Sequence, residues 1–355
     1  MKRILIAIIF AMQLIIPSSA KNIFPALSGS KNPKILTVYS SLDEIVSTPL
    51  IKAFQKTRPG IEVHYYDLQS LDIYNRVITE TDKEGSTADL VISSAMDLQV
   101  KLANDGYARE LLNPVDDWPE WAKWRNSAFG LTFEPSVIVY HKPSFAEQPP
   151  PKNRTELTRL LTDQNDKYYG RSATYDIERS GLGFLFLARD TEHERDIWKL
   201  VAAMGAAGIK LYSNSSAILE RVADGRLAVG YNILGSYAEN WAIRNPDLGI
   251  TLPQDFTVVM SRIALVPKAA LQPDLGDAFL TFLMSEQGQK TMANKVRLPA
   301  LHPAVTGPNT AVAMRKKFGA RLRPITIGPG LVVYLDQAKR ARFLKRWNRA
   351  LRGGL

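Results

Sequence analysis

Between Ile35 and Asn104 the chain alternates short apolar runs with longer amphipathic ones, and this rhythm constrains its fold more than any other feature. The runs 35–39, 62–66 and 89–93 have the length and β-branched content of strands, whereas 45–56, 73–84 and 98–104 carry a helical period, the last closed by Gly106. Strand and helix in strict turn predict βαβ crossovers and an α/β fold, with a mainly parallel sheet flanked by helices. A β-rich run, SVIVYH at 136–141, and a Pro-rich turn at 148–151 then interrupt the pattern. It resumes with helices at 155–161 and 181–187, a strand at 209–212, a helix at 216–224, a strand at 227–232 and a helix at 236–244.

Two such sets exceed what one hydrophobic core of a 355-residue chain holds comfortably, so two lobes are expected with a ligand cleft between them. Extended segments near Val137 and from Phe256 to Pro267 are the expected connections. The first lobe is then 21–136 plus 258–305, and the second 137–257 plus 306–355. No internal repeat or low-complexity stretch is present.

Residues 1–20 stand apart. Lys2 and Arg3 precede an apolar run from Ile4 to Ile16, and small residues follow at Ser18 and Ala20, the pattern of a secretory signal peptide cleaved after Ala20. The run is shorter than the roughly 20 apolar residues of a membrane span. The chain has no Cys, which removes disulfides, thiolate metal sites and Cys nucleophiles together. Its formal charge of +10 suits an anionic partner, and export to the periplasm argues against nucleic acid. Much of the excess lies in LDQAKRARFLKRWNRALRGGL, where Leu344, Trp347 and Leu351 form a core-facing stripe on a helix with a solvated basic face.

The strand-to-helix junctions are the candidate site. In open α/β sheets ligands sit beyond the carboxyl ends of the strands, where helix N-termini present unpaired N–H groups and partial positive charge. Ser40, Ser41, Ser93 and Ser94 occupy two such junctions in the first lobe. In the second, Arg179, Ser180 and Gly181 precede a helix, Asn214 lies in the SNSS turn, and Asn232 and Tyr237 lie in YNILGSY. Ser before a helix is also an ordinary cap. The recurrence of uncharged donor-rich turns across both lobes is what suggests an anion-binding cleft.

The stretches VYSSLDE, AFQKTRPGIEV, ADLVISSAMD, RLAVGYNILGSYAE and LTFLMSEQGQKTMAN together resemble the periplasmic solute-binding proteins of bacterial ABC importers. The resemblance runs from Ile35 to about Val305 and includes the closing GPGLVVYLDQAKRARFLKRW. It is nearest the branch of ferric-binding proteins, hexose-phosphate and phosphonate binders and the phosphoglycerate transport regulatory protein. It implies the type II two-lobe periplasmic fold, a monomer that closes by a hinge over a small anionic solute, and an ABC permease as membrane partner. A sensor kinase is the alternative partner, through the phosphoglycerate regulatory relatives. In the ferric branch adjacent tyrosines after the AVG strand hold the metal; here Tyr231 and Tyr237 are separated and the early turn lacks His, which disfavours Fe(III). The places where that family holds an accompanying anion match Ser180, Gly181, Asn214 and Asn232, implying a phosphate or phosphonate group.

Other chemistry is thin. His64, His141, His193 and His302 are scattered without metal-ligand spacing, so neither metal nor cofactor is expected. His193 suits a solvated helix start. No G-x-S-x-G elbow or phosphate-binding P-loop occurs, which leaves no basis for an enzyme. Acids such as Asp67 and Asp97 read as helix caps, and Trp118, Trp121 and Trp124, three apart, as the buried face of a helix.

Overall fold

A computed structural model describes residues 21–111, 118–163 and 165–354. The signal-peptide expectation for residues 1–20 falls outside them. The chain builds two sheets. The first runs Lys21–Phe24, Ile61–Asp67, Lys34–Ser40, Leu90–Ser93, Ile263–Leu265, Ala128–Gly130, Lys123–Trp124 in spatial order. The second runs Leu322–Pro324, Thr257–Met260, Glu134–His141, Val229–Leu234, Ser172–Tyr175, Lys210–Tyr212, with Leu248–Thr251 added along Glu134–His141.

Both sheets are mixed rather than mainly parallel. Ile61–Asp67, Lys34–Ser40 and Leu90–Ser93 form a parallel trio in the first, and Val229–Leu234, Ser172–Tyr175 and Lys210–Tyr212 form one in the second. All but Ser172–Tyr175 are segments whose alternation with helices is legible in the sequence. The long strand Glu134–His141 pairs antiparallel with three neighbours, and Ile263–Leu265 with two. They belong to segments arriving from the other lobe, which enter the sheet without a helical crossover to reverse them.

The chain passes from one sheet to the other at Leu131–Phe133 and returns at Ser261–Arg262, against expected boundaries at 136/137 and 257/258. The difference arises because Glu134 already starts its strand and Met260 still ends its own. The passing segments lie side by side: Leu131 donates its N–H to the Arg262 carbonyl at 2.8 Å, and Arg262 donates its N–H to Thr132 Oγ1 at 2.9 Å.

Strand residues facing the helices are buried throughout, among them Leu36, Val38, Val63, Leu90 and Ile92 in the first lobe, with Phe54 stacked near Phe279 and Phe282. The terminal helix Gln337–Leu351 docks on Ile197–Ala206 through Phe343, Trp347 and Ala350. Leu344 and Leu351 pack only partly, so the buried stripe is turned slightly from the expected one. Trp121 lies on a 3₁₀ turn, Glu120–Ala122, and Trp124 on a short strand, with Trp118 ahead of both, rather than all three on one helix. Trp118 is buried and donates its indole N–H to the Gly130 carbonyl. His193 ends the helix Gly181–His193 instead of starting one, with its ring 5.2 Å from that of Phe256.

Candidate functional site

The carboxyl ends of the parallel trios face each other across the two passing segments and enclose a cavity of about 270 Å³. Ser41, Ser94, Arg179, Ser180, Gly181, Asn214 and Tyr237 line it, seven of the ten residues singled out from the sequence.

Each wall has its own chemistry. On the first lobe Ser41 Oγ accepts the Ser94 N–H at 3.0 Å and lies 3.3 Å from Ser94 Oγ, which in turn lies 3.4 Å from Ser70 Oγ. The hydroxyls form a connected row whose rotors can reorient toward a solute. Beside them stand two carboxylates, Asp43 and Asp67. Asp67 accepts the Glu44 N–H at 3.2 Å, and its pKa is pushed up to about 6, first by burial and then by the charge of Asp43.

On the second lobe two helices of useful length start at the cavity. Ser180 caps Gly181–His193 by accepting the Gly183 N–H at 3.1 Å, and Asn214 caps Ser215–Ala223 by accepting the Ala217 N–H at 2.9 Å. The caps satisfy one N–H of each helix, and the first-turn groups of Gly181, Leu182, Ser215 and Ser216 lie along the cavity wall. Tyr175, behind them, hydrogen-bonds Ser215 Oγ at 2.6 Å. Arg179 has its side chain 81% exposed at the rim.

Between the walls lies Arg262, on one passing segment, buried against Glu134 at the start of the strand that follows the other. Its Nε donates to Glu134 Oε1 at 3.0 Å, while its terminal nitrogens reach Glu134 Oε2 at 3.5 Å and the Ser41 carbonyl at 3.4 Å. Glu134 is also held by Thr132 Oγ1 at 2.7 Å and by the Ser236 hydroxyl. The lobes meet around Asp43, which accepts hydrogen bonds from the Tyr237 hydroxyl at 2.8 Å and the Ser216 hydroxyl at 3.3 Å. Asp43 and Tyr237 also line a second cavity with Trp241, Arg244 and Lys295, so their bridge is the partition between the two. Gly181 has a packing role as well: a Cβ there would sit 2.9 Å from that of Ala95 in the first lobe.

Three expected residues lie elsewhere. Ser40 is fully buried, and its hydroxyl accepts the Leu42 N–H at 3.1 Å, shaping its own turn. Asn232 lies within an irregularity of its strand, has φ +61°, and turns its side chain into the second lobe. There Nδ2 donates to Asp190 Oδ2 at 2.6 Å and Oδ1 accepts from Ser136. Ser93 likewise binds a local backbone group, the Ala95 N–H. Sequence reasoning missed Asp43, Asp67 and Arg262. Asp67 reads from sequence as a helix cap, Asp43 follows the first Ser-Ser turn and was a usable signal, and Arg262 sits in an extended segment that carries no motif.

The model of bacterial extracellular solute-binding proteins matches residues 49–317. A substrate-binding protein of an ABC transporter from Agrobacterium tumefaciens is 57% identical, with a TM-score of 0.92 over 94% of this chain and 98% of its own. The chain belongs to the bacterial extracellular solute-binding protein family. Two more distant structures share the fold of this solute-binding protein. Fructose-6-phosphate-bound AfuA from Actinobacillus pleuropneumoniae is 16% identical, with a TM-score of 0.73 over 91% and 99% of the chains. Iron-bound HitA from Pseudomonas aeruginosa is 18% identical, with a TM-score of 0.67 over 90% and 99%. No curated protein matches the chain. Among the described residues of the solute-binding protein no helix is long and apolar enough to cross a membrane, and no three His, Asp or Glu side chains are grouped to hold a metal ion.

Proposed function

We propose that this protein binds, in the periplasm, a small organic solute with a phosphate or phosphonate head and a hydroxyl- or amine-bearing body, and delivers it to an ABC importer. The observation that carries the reading is the unequal wall chemistry of one cavity. Two helix N-termini, Ser180–Gly181 and Asn214–Ser216, face it from the second lobe, and Ser41, Ser94, Asp43 and Asp67 face it from the first. Backbone N–H groups at helix starts suit an anion, and Arg179 adds a flexible cation at the rim. A carboxylate wall repels a second anion, so the rest of the solute presents hydroxyl or ammonium donors there.

Ser180, Gly181, Asn214, Arg179 and Tyr237 are the proposed second-lobe contacts, with Ser41 and Ser94 opposite. The fructose-6-phosphate bound to AfuA fits this class of solute. Iron fits less well, because Tyr237 is committed to Asp43 and Tyr231 to the lobe interior. The test is calorimetric titration with 3-phosphoglycerate, hexose phosphates and 2-aminoethylphosphonate, preceded by native mass spectrometry of protein purified from the periplasm. The expected result is tight binding of one phosphorus-bearing compound. Binding only of phosphorus-free solutes, or a ferric charge-transfer band lost in Tyr237→Phe, overturns the reading.

A further inference from the structure

Residues 306–355 hold twelve Lys and Arg against a single Asp, while the formal charge of the whole chain is +10, so the preceding 305 residues are together close to neutral. The excess is concentrated on one element. On Gln337–Leu351 and its next residue, Lys339, Arg342, Lys345, Arg346, Arg349 and Arg352 are exposed. Lys339, Arg342, Arg346 and Arg349 follow i, i+3, i+7, i+10 and lie along one face, with Lys345 and Arg352 beside them. At 1.5 Å per residue the array is about 20 Å long.

Little in the fold neutralises it. Among the described residues the side chains of Lys339, Arg342, Lys345 and Arg352 have no ion-pair partner, and Arg346 lies 4.5 Å from the Trp198 ring. The nearby acids are Asp336, which caps the helix by accepting the Lys339 N–H at 2.9 Å, Glu194, in a groove with Lys339, Arg342 and Arg346, and Glu178, which accepts from Asn348 at 2.7 Å.

We propose that this face is a docking surface for a bilayer of anionic phospholipid. The apolar side of the helix is used on its own lobe through Phe343, Trp347 and Ala350, and none of its Leu, Phe or Trp side chains is exposed. A protein interface has an aromatic or aliphatic centre with charges at its rim, and a face of cations alone lacks that centre. A straight row of Lys and Arg matches instead a dense, laterally mobile layer of phosphate headgroups. No residue of the row lines the solute cavity, so the contact leaves the cleft free and does not depend on which solute binds there.

The test is co-sedimentation of the full-length mature chain with phosphatidylglycerol–phosphatidylcholine vesicles and with pure phosphatidylcholine vesicles. Runs at about 0.01 M and about 1 M ionic strength span Debye lengths of about 30 and 3 Å. Binding is expected only to the phosphatidylglycerol vesicles and only at low salt. The triple variant K339E/R342E/K345E should bind at least about tenfold more weakly, since each cation near an anionic surface contributes attraction, with an unchanged melting temperature. If that variant fails to fold, R342E/R352E carries the same comparison. Absence of binding at low salt, equal binding to pure phosphatidylcholine, or binding undiminished by charge reversal each overturns the proposal.

Discussion

Two buried arginines sit in this molecule in similar company and do opposite things. Arg154, in the second lobe, is tied into its own lobe. Its Nε donates to the Tyr231 hydroxyl at 2.7 Å, its terminal nitrogens to Asp190 at 2.7 Å, Asp255 at 3.1 Å and the Phe256 carbonyl at 2.8 Å, and its guanidinium lies 3.6 Å from the Phe256 ring. Arg262, between the lobes, has one good bond to Glu134, two at 3.4 and 3.5 Å, and a side open to the cavity. A guanidinium has five donors in a fixed fork; the first spends four of them inside its own lobe and does not line the cavity, whereas the second lines it with one donor well placed on Glu134. Burial and ion pairing therefore do not mark a functional arginine; unspent donors facing a cavity do.

The largest effect should come from breaking the Arg154 network. Arg154→Met leaves Asp190 buried without its cation, and such a loss costs about 3–5 kcal/mol. The expected outcome is a strongly lowered urea midpoint, with solute affinity of the remaining folded protein unchanged. A loss of affinity at wild-type stability would erase the contrast between the two arginines.

Arg262→Lys keeps the charge beside Glu134 and removes the fork. Affinity should fall about tenfold, the equivalent of about 1.4 kcal/mol, with a smaller change in urea midpoint than for Arg154→Met. An unaltered calorimetric affinity would place Arg262 with Arg154 as structural.

Smaller still are the caps. Ser180→Ala and Asn214→Ala should each lower stability by about 1 kcal/mol, and weaken solute binding as well if their helix starts hold the anion. Stability falling alone, with affinity intact, would return both to capping.

The smallest effect is a pH dependence confined to the first-lobe wall. Asp67 has its pKa raised in the folded state to about 6 by burial and by Asp43, so its charge opposes folding above that value. The contribution is fully favourable below the ordinary carboxylate pKa near 4 and is lost as pH rises through about 6. Asp67→Asn should therefore melt higher than wild type at pH 7, with the gap closing toward pH 4. A gap independent of pH would show that Asp67 is not desolvated.

The comparison also explains what could be read in advance. Asn232 was expected in the cleft and belongs instead to the network of Arg154, because an irregularity at Gly230 to Ile233 and a positive φ turn its side chain inward. Neither feature leaves a mark in the residue pattern. Ser41, Ser94, Ser180 and Asn214 were legible because each is fixed by its own strand-to-helix turn, a local unit. Asp43 and Tyr237 hydrogen-bond across 194 residues of chain, and Arg262 meets Glu134 across 128.

The sequence by itself determined the alternating elements, every strand of the parallel trios except Ser172–Tyr175, the helix starts at the cavity and the basic face of the last helix. Each depends on hydrophobic period, cap chemistry or charge within a few residues. Only the tertiary structure decided where the chain passes between lobes, which strands run antiparallel, which arginine lines the cavity, and that two carboxylates face two helix N-termini. Those outcomes rest on pairings between distant segments, whose register is set by packing and hydrogen bonding once the sheets assemble.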